Sequence, residues 1–159
     1  MGVVATISRI GIDNFKEMKS RREYPPKYES GTVYLGKSWD ILSYILVGVV
    51  GATRENILLE VINPKHKYLI AESDYSKEYL NYSPPKKVKE IHARLKDITA
   101  AAFKQLIEER DFNSYMMYAE ILPKEKDQIF VGLKQNFLDL RQLFKEASES
   151  DNYMVTVIS

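Results

Sequence analysis

The sequence predicts an α+β fold: several helices packed with a small sheet that includes the N- and C-terminal strands. Three observations carry this. Residues 3–10 and 154–158 are short extended runs near the two ends of the chain, the first β-branched and mostly apolar. Between them, apolar residues recur at helical spacing, most clearly at Phe130, Leu133, Phe137, Leu140, Phe144 and Ala147, where steps of three and four alternate into one seam. The chain has 159 residues, 45% hydrophobic and 28% charged, which suits a single domain spanning 1–159. A chain of this size buries roughly 70% of the surface its unfolded form exposes, enough for a core without disulfides or metals.

The elements follow in order. Residues 3–10 read as a buried strand. Asp13 is placed to cap a short helix that turns Phe15 and Met18 inward. Residues 20–36 read as a loop, because Pro25 and Pro26 forbid helix and Ser30-Gly31 marks a turn. Ser38 suits an N-cap, Trp39, Leu42, Ile45 and Leu46 recur at helical spacing, and Gly48 ends the run. Residues 57–62 fit a helix or a strand, and Asn63-Pro64 breaks them. Residues 68–71 and 79–82 read as extended. Ser83 suits an N-cap with Pro84 or Pro85 in the first turn, before Val88, Ile91, Leu95 and Ile98. Thr99 opens another helix with Phe103, Leu106 and Ile107 inward. Residues 111–123 connect, carrying Tyr115, Met116, Met117 and Tyr118. After the long apolar seam, 148–152 turn into a terminal strand, with a place beside the first strand open to it. Neither a repeat nor a low-complexity tract divides the chain.

The bulk numbers remove several classes of function. With no cysteine, disulfides, thiolate zinc sites, iron–sulfur clusters and cysteine nucleophiles are excluded. Two histidines argue against a multi-histidine metal site, so no metal and no cofactor is expected. A net charge of +1 lacks the basic excess of a protein that grips nucleic acid through its phosphates. The most apolar stretch, 41–52, contains Ser43, Gly48 and Gly51 and falls short of the ~20 residues of a spanning helix, so no membrane is expected as a partner. Residues 1–10 carry no basic segment followed by an apolar run, which favours the cytoplasm.

Three segments, taken together, resemble the YfbM-like family of bacterial proteins, the domain of unknown function 1877. Lys37-Ser38-Trp39-Asp40-Ile41-Leu42-Ser43-Tyr44-Ile45-Leu46-Val47-Gly48 is similar to that family's Lys-x-Trp-x-x-Ile/Leu-x-Tyr/Phe-Leu-x-Gly helix. Tyr79-Leu80-Asn81-Tyr82-Ser83-Pro84, with Val88-Lys89-Glu90-Ile91 and Leu95 after it, resembles the Tyr-Leu-x-Pro-x-x-Val start of a second helix. Residues 137–158 resemble the closing helix and strand, and Met1-Gly2 the opening. Two positions depart: Asp40 stands where the family often has histidine, and Ser76-Lys77-Glu78 stands where Gly-Pro-x-Arg is expected. The resemblance implies a single α+β domain in a bacterial protein, and no activity.

Two clusters stand out as candidate sites. Lys37, Trp39, Asp40 and Tyr44, with Tyr82 from the second motif, would make a pocket with an aromatic floor and paired charges; Asp40 and Tyr44 are i, i+4 neighbours on a helix. The plainer alternative makes Trp39 a core anchor and the charges solvated. Arg21, Arg22, Tyr24, Tyr28 and Tyr34 lie in a stretch that interleaves bases with aromatics. Such a stretch can stack on single-stranded nucleic acid, but Glu23 and Glu29 dilute it. Glu72, Asp74 and Glu78 form a short acidic group that reads as a solvated loop. His92 sits at the edge of the Val88/Ile91/Leu95 stripe, and His66 between two lysines in a polar turn. Neither has a partner that sequence spacing supplies.

No Walker loop, Gly-x-Gly-x-x-Gly, Gly-x-Ser-x-Gly or His-Glu-x-x-His occurs. The first functional expectation is therefore a non-catalytic module that binds another macromolecule, another protein first of all, through the tyrosine-rich loop from Tyr24 to Tyr34, with the Tyr115 to Tyr118 region as a second candidate surface. A second copy of the chain stays open as a partner. The alternative is an enzyme or small-ligand binder with its pocket around Trp39.

Overall fold

Extended runs from the two ends of the sequence pair with each other, and that pairing places everything else. The computed structural model of the chain describes residues 3–25, 31–48, 56–112 and 125–159. Strand β1 (Ala5–Ile10) lies antiparallel to β5 (Tyr153–Ile158), from Ala5 opposite Ile158 to Ile10 opposite Tyr153. Strand β2 (Thr32–Gly36) flanks β1, and the hairpin of β3 (His66–Glu72) and β4 (Lys77–Ser83) flanks β5. The sheet is antiparallel throughout, in the order β2-β1-β5-β4-β3. Its central strands are apolar on both faces, as doubly covered strands must be. Ile7 and Met154 point into one layer, Ile10 and Val155 into the other.

The first layer is helical. It contains α2 (Trp39–Val47), a short 3₁₀ helix, η1 (Ile57–Val61), α3 (Pro85–Leu95), α4 (Ala100–Glu109) and α5 (Lys126–Glu149). Among the described residues the second layer is α1 (Ile12–Arg21), whose Phe15 stacks on Tyr153 with ring centroids 3.8 Å apart and meets Tyr68 edge-on. The two layers share one sheet, so the described elements form one α+β domain.

The long seam predicted for α5 is the spine of the helical layer. Leu133, Phe137, Leu140, Phe144 and Ala147 are buried, joined by Ile129 and Leu143. The Phe137 and Phe103 rings stack at 4.3 Å. Phe130 is only half-buried. An apolar repeat averaging three and a half residues drifts around a 3.6-residue helix, so by the first turn Ile129 has rotated into the seam. The Lys104 and Lys134 ammonium groups lie 5.7 and 5.8 Å from the Phe130 ring centre.

Several local expectations are corrected. Residues 32–36 are an edge strand and not the end of a loop: Val33-Tyr34-Leu35 is too short an alternation to outweigh the surrounding turn residues, and only the ladder with β1 makes it a strand. Gly11 and not Asp13 is the N-cap of α1, and no side chain caps that end. Ser38 occupies the N-cap of α2 without a side-chain hydrogen bond. Pro84 and not Ser83 caps α3, because Ser83 is still paired with Met154 in the sheet. His66 opens β3 rather than sitting in a turn. Residues 57–62, open between helix and strand, begin as η1, with Asn56 Oδ1 accepting from Leu58 N–H. Thr99 caps α4 as expected, its hydroxyl accepting from Ala102 N–H.

Gly48 is required where it stands. It ends α2 at φ 87°, a region that L side chains rarely adopt. A Cβ there would also lie 3.0 Å from the guanidinium carbon of Arg110. That guanidinium donates to the Ile45 carbonyl at 2.9 Å, placing a cation where the helix dipole is negative.

Candidate functional site

The most distinctive feature of the surface is a fork in the sheet. Strands β4 and β5 pair only at Asn81–Thr156, Tyr82–Val155 and Ser83–Met154. Beyond Asn81 the two strands part, although β4 stays paired with β3 and β5 with β1. Bonded and non-bonded pairs alternate along an antiparallel ladder. Val4 and Ser159 exchange both of their hydrogen bonds, at 2.8 and 2.9 Å, so the N–H and C=O of Ile158 point the other way, toward β4. By the same alternation the main-chain groups of Tyr79 point toward β5. These two residues would be the next bonded pair, and the ladder ends before reaching them.

The gap is a cleft of ≈130 Å³ lined by residues from both faces of the sheet. Glu78, Leu80 and Val157 line it on the α1 side, and Asn63, Asn81 and Thr156 on the helical side. Tyr24, Tyr79 and Ile158 form its rim, 44%, 40% and 38% exposed. The Tyr24 hydroxyl donates to the Glu78 carboxylate. Asn81 is held by its amide, which donates to the Pro64 carbonyl at 2.8 Å. Thr156 is only 3% exposed, and its Oγ1 has no hydrogen-bond partner. Buried hydroxyls are normally satisfied, so this one is a free polar group at the wall of a cleft.

Tyr68 is buried under α1 and its hydroxyl donates to the Glu23 carbonyl at 2.9 Å. Burial, with the Glu23 charge nearby, pushes the Tyr68 phenol up to about 12. That bond anchors the chain one residue before Tyr24. A neighbouring groove of ≈370 Å³ runs from Arg9 and Asn14 past Glu17 and Glu23 to the same Tyr24.

The sequence-derived pocket is distributed differently. Trp39 is half-buried against the helical-layer core and its Nε1 donates to the Val3 carbonyl at 3.0 Å. Tyr44 is buried, its hydroxyl donating to the Asp111 carbonyl at 2.7 Å and its ring edge-on to Phe112. Lys37 is exposed and Asp40 half-buried, and neither forms an ion pair among the described residues. Tyr82 lies in the other layer, among Phe15, Tyr68 and Tyr153. The sheet therefore stands between Tyr82 and the Trp39 group.

Of the tyrosine-rich stretch, Arg21 and Arg22 are exposed at the end of α1, with Arg21 paired to Glu17 at 2.9 Å. Tyr24 reaches the fork, and Tyr34 is 64% exposed on the edge strand β2. Tyr28 and residues 115–118 lie outside the described residues. In the acidic group, Glu72 pairs with Lys77 at 3.7 Å, and Glu78 is the member that reaches the cleft. Tyr79, Thr156 and Ile158 were not singled out by sequence reasoning. Their place at the cleft comes from where a ladder stops, which no local pattern announces.

His92 faces α5 with its Nδ1 buried and unpartnered. Its pKa is lowered, first by burial and then by Lys96, with Lys145 acting the same way and Glu149 opposing. Among the described residues no group of three or more His, Asp or Glu could hold a metal. No helix among them is long and apolar enough to cross a membrane.

A five-stranded antiparallel sheet with a helical layer on one face and one helix on the other defines this as an α+β protein whose distinctive surface is a forked strand pair. The fold is that of a solved structure, the protein of unknown function YfbM from Escherichia coli, at a TM-score of 0.69 and 16% sequence identity, covering 98% of this chain and 99% of that one. The family model for the domain of unknown function DUF1877 matches residues 2–157, and the chain belongs to that family. No curated protein matches the sequence.

Proposed function

We propose that this protein is a non-catalytic interaction module of the bacterial cytoplasm that holds another protein at the fork between β4 and β5. One observation carries the reading: the main-chain groups of Tyr79 and Ile158 face each other without a ladder partner, inside a rim of half-exposed tyrosines. Unpaired strand edges recruit extended segments of other chains. Tyrosine supplies much of the binding energy at protein interfaces. The fold provides both at one place.

The test is site-specific photocross-linking in the native cell, with the reactive side chain at Tyr79 and, as control, at Val131. Val131 is 76% exposed on α5, away from the fork. A discrete partner captured through position 79 and lost in Tyr24→Ala supports the module. Equal capture through both positions defeats it. A small-ligand reading keeps one supporting observation, the unpartnered Thr156 hydroxyl at the cleft wall. Native mass spectrometry of the gently purified protein would reveal such a ligand as a fixed added mass.

A further inference from the structure

The fork is asymmetric in charge, and the asymmetry says what it would hold. Glu78 lines the cleft on the α1 side, and the only hydrogen bond to its carboxylate among the described residues comes from a neutral phenol, Tyr24. Other carboxylates nearby have cations: Glu72 has Lys77 at 3.7 Å, Glu17 has Arg21 at 2.9 Å, and the buried Glu60 has Lys87 at 3.4 Å. Glu78 has none among the described residues. Glu23 stands beside Tyr24 in the adjoining groove and adds a second negative charge to that side.

The aromatic rim has the matching chemistry. The Tyr79 ring already takes a cation on the helical side, where Lys67 Nζ lies 4.6 Å from its centre. Tyrosine faces attract ammonium and guanidinium groups, and a carboxylate binds the same groups through charge-assisted hydrogen bonds. Across the slot, Thr156 Oγ1 is buried and unpartnered, and the main-chain groups of Tyr79 and Ile158 are free to pair. Side chains of an extended strand alternate between faces. A strand in this fork would send one side chain toward Glu78 and the next toward Thr156 and Asn81.

We propose that the fork recognises a basic residue, lysine or arginine, on an extended segment of a partner protein. The basic side chain pairs with Glu78 beneath Tyr24, its neighbour in the segment is small and polar to fit a ≈130 Å³ cleft and satisfy Thr156, and the segment's backbone bonds to the free groups of Tyr79 or Ile158. This rests on the interaction-module reading and narrows it to one recognition chemistry.

The test uses the intact chain, labelled with nitrogen-15, and three short blocked peptides, Val-Thr-Lys-Thr-Val, the same with norleucine for lysine, and the same with glutamate. Norleucine keeps the length of lysine's stem without its charge. At millimolar concentration the lysine peptide should move the amide signals of Tyr79, Val157 and Ile158. The norleucine peptide should bind about tenfold more weakly, the scale of one charge-assisted hydrogen bond. Glu78→Gln should abolish that difference while the rest of the spectrum stays native, since Glu78 is exposed. Added salt should weaken only the lysine peptide. Equal binding of the lysine and norleucine peptides, shifts confined to other surfaces, or no shift with any peptide would each overturn the inference. If position 79 still cross-links a partner in cells after such a result, the module stands and the basic-residue recognition alone falls.

Discussion

Phe137 tests the packing of the helical layer most directly. It is 1% exposed, stacked on the fully buried Phe103 at 4.3 Å with the rings 5° from parallel. The Arg141 guanidinium lies 5.9 Å from its centre, and that side chain also donates to the Ile98 carbonyl at 2.7 Å. Phe137→Ala removes a whole ring from between α4 and α5, where neither helix can close the gap without dragging its other contacts. Core truncations of this kind cost ~3–5 kcal/mol. At about 2–4 °C per kcal/mol for a chain this long, the melting temperature should fall by about 6–20 °C. Urea unfolding should agree, with a lower midpoint and an unchanged slope. Val131→Ala on the same helix is the control; Val131 is 76% exposed, so its melt should move little. Combined with Phe103→Ala, the loss should fall short of the sum of the two single changes, because both enlarge the same cavity. A Phe137→Ala melt that matches Val131→Ala would refute the facing of α5 and the stacked pair.

Two further predictions concern single groups. Trp39→Ala should cost ~1–3 kcal/mol, less than a full core truncation because the ring is half-buried, with its bond to Val3 lost as well; Lys37→Ala and Asp40→Ala should leave the urea midpoint almost unchanged, and a polar variant as damaging as the tryptophan change would show that these charges have structural partners. His92 has a lowered pKa in the folded chain, so between that value and the ordinary histidine value of 6.5 the unfolded chain binds more protons. Stability should therefore be full above pH 6.5 and decline as the pH falls toward the lowered folded value. His92→Asn should flatten that decline in urea midpoints taken across the window, and an unchanged pH profile would remove His92 as its cause.

Sequence periodicity by itself determined the α+β class, the buried face of α5 from Leu133 to Ala147, the cap at Thr99, the end of α2 at Gly48, and the terminal strands. Each depends on residues within a turn or two of one another, where 3.6-residue or two-residue alternation and backbone freedom decide the outcome. The motifs at residues 37–48 and 79–95 marked the family for the same reason, since they are contiguous. Only the tertiary structure decided the rest. Strand β2 exists because β1 supplies its hydrogen bonds, and Ser83 stays in the sheet because Met154 lies opposite. Tyr82 parts from Trp39 because alternation across a sheet sends neighbours to opposite layers. The fork arises where a ladder between β4 and β5 stops after Asn81 and Thr156, residues 75 positions apart by their numbers. Register between distant strands is set by the summed packing of both layers, and a single sequence records the packing residues without recording which of them meet.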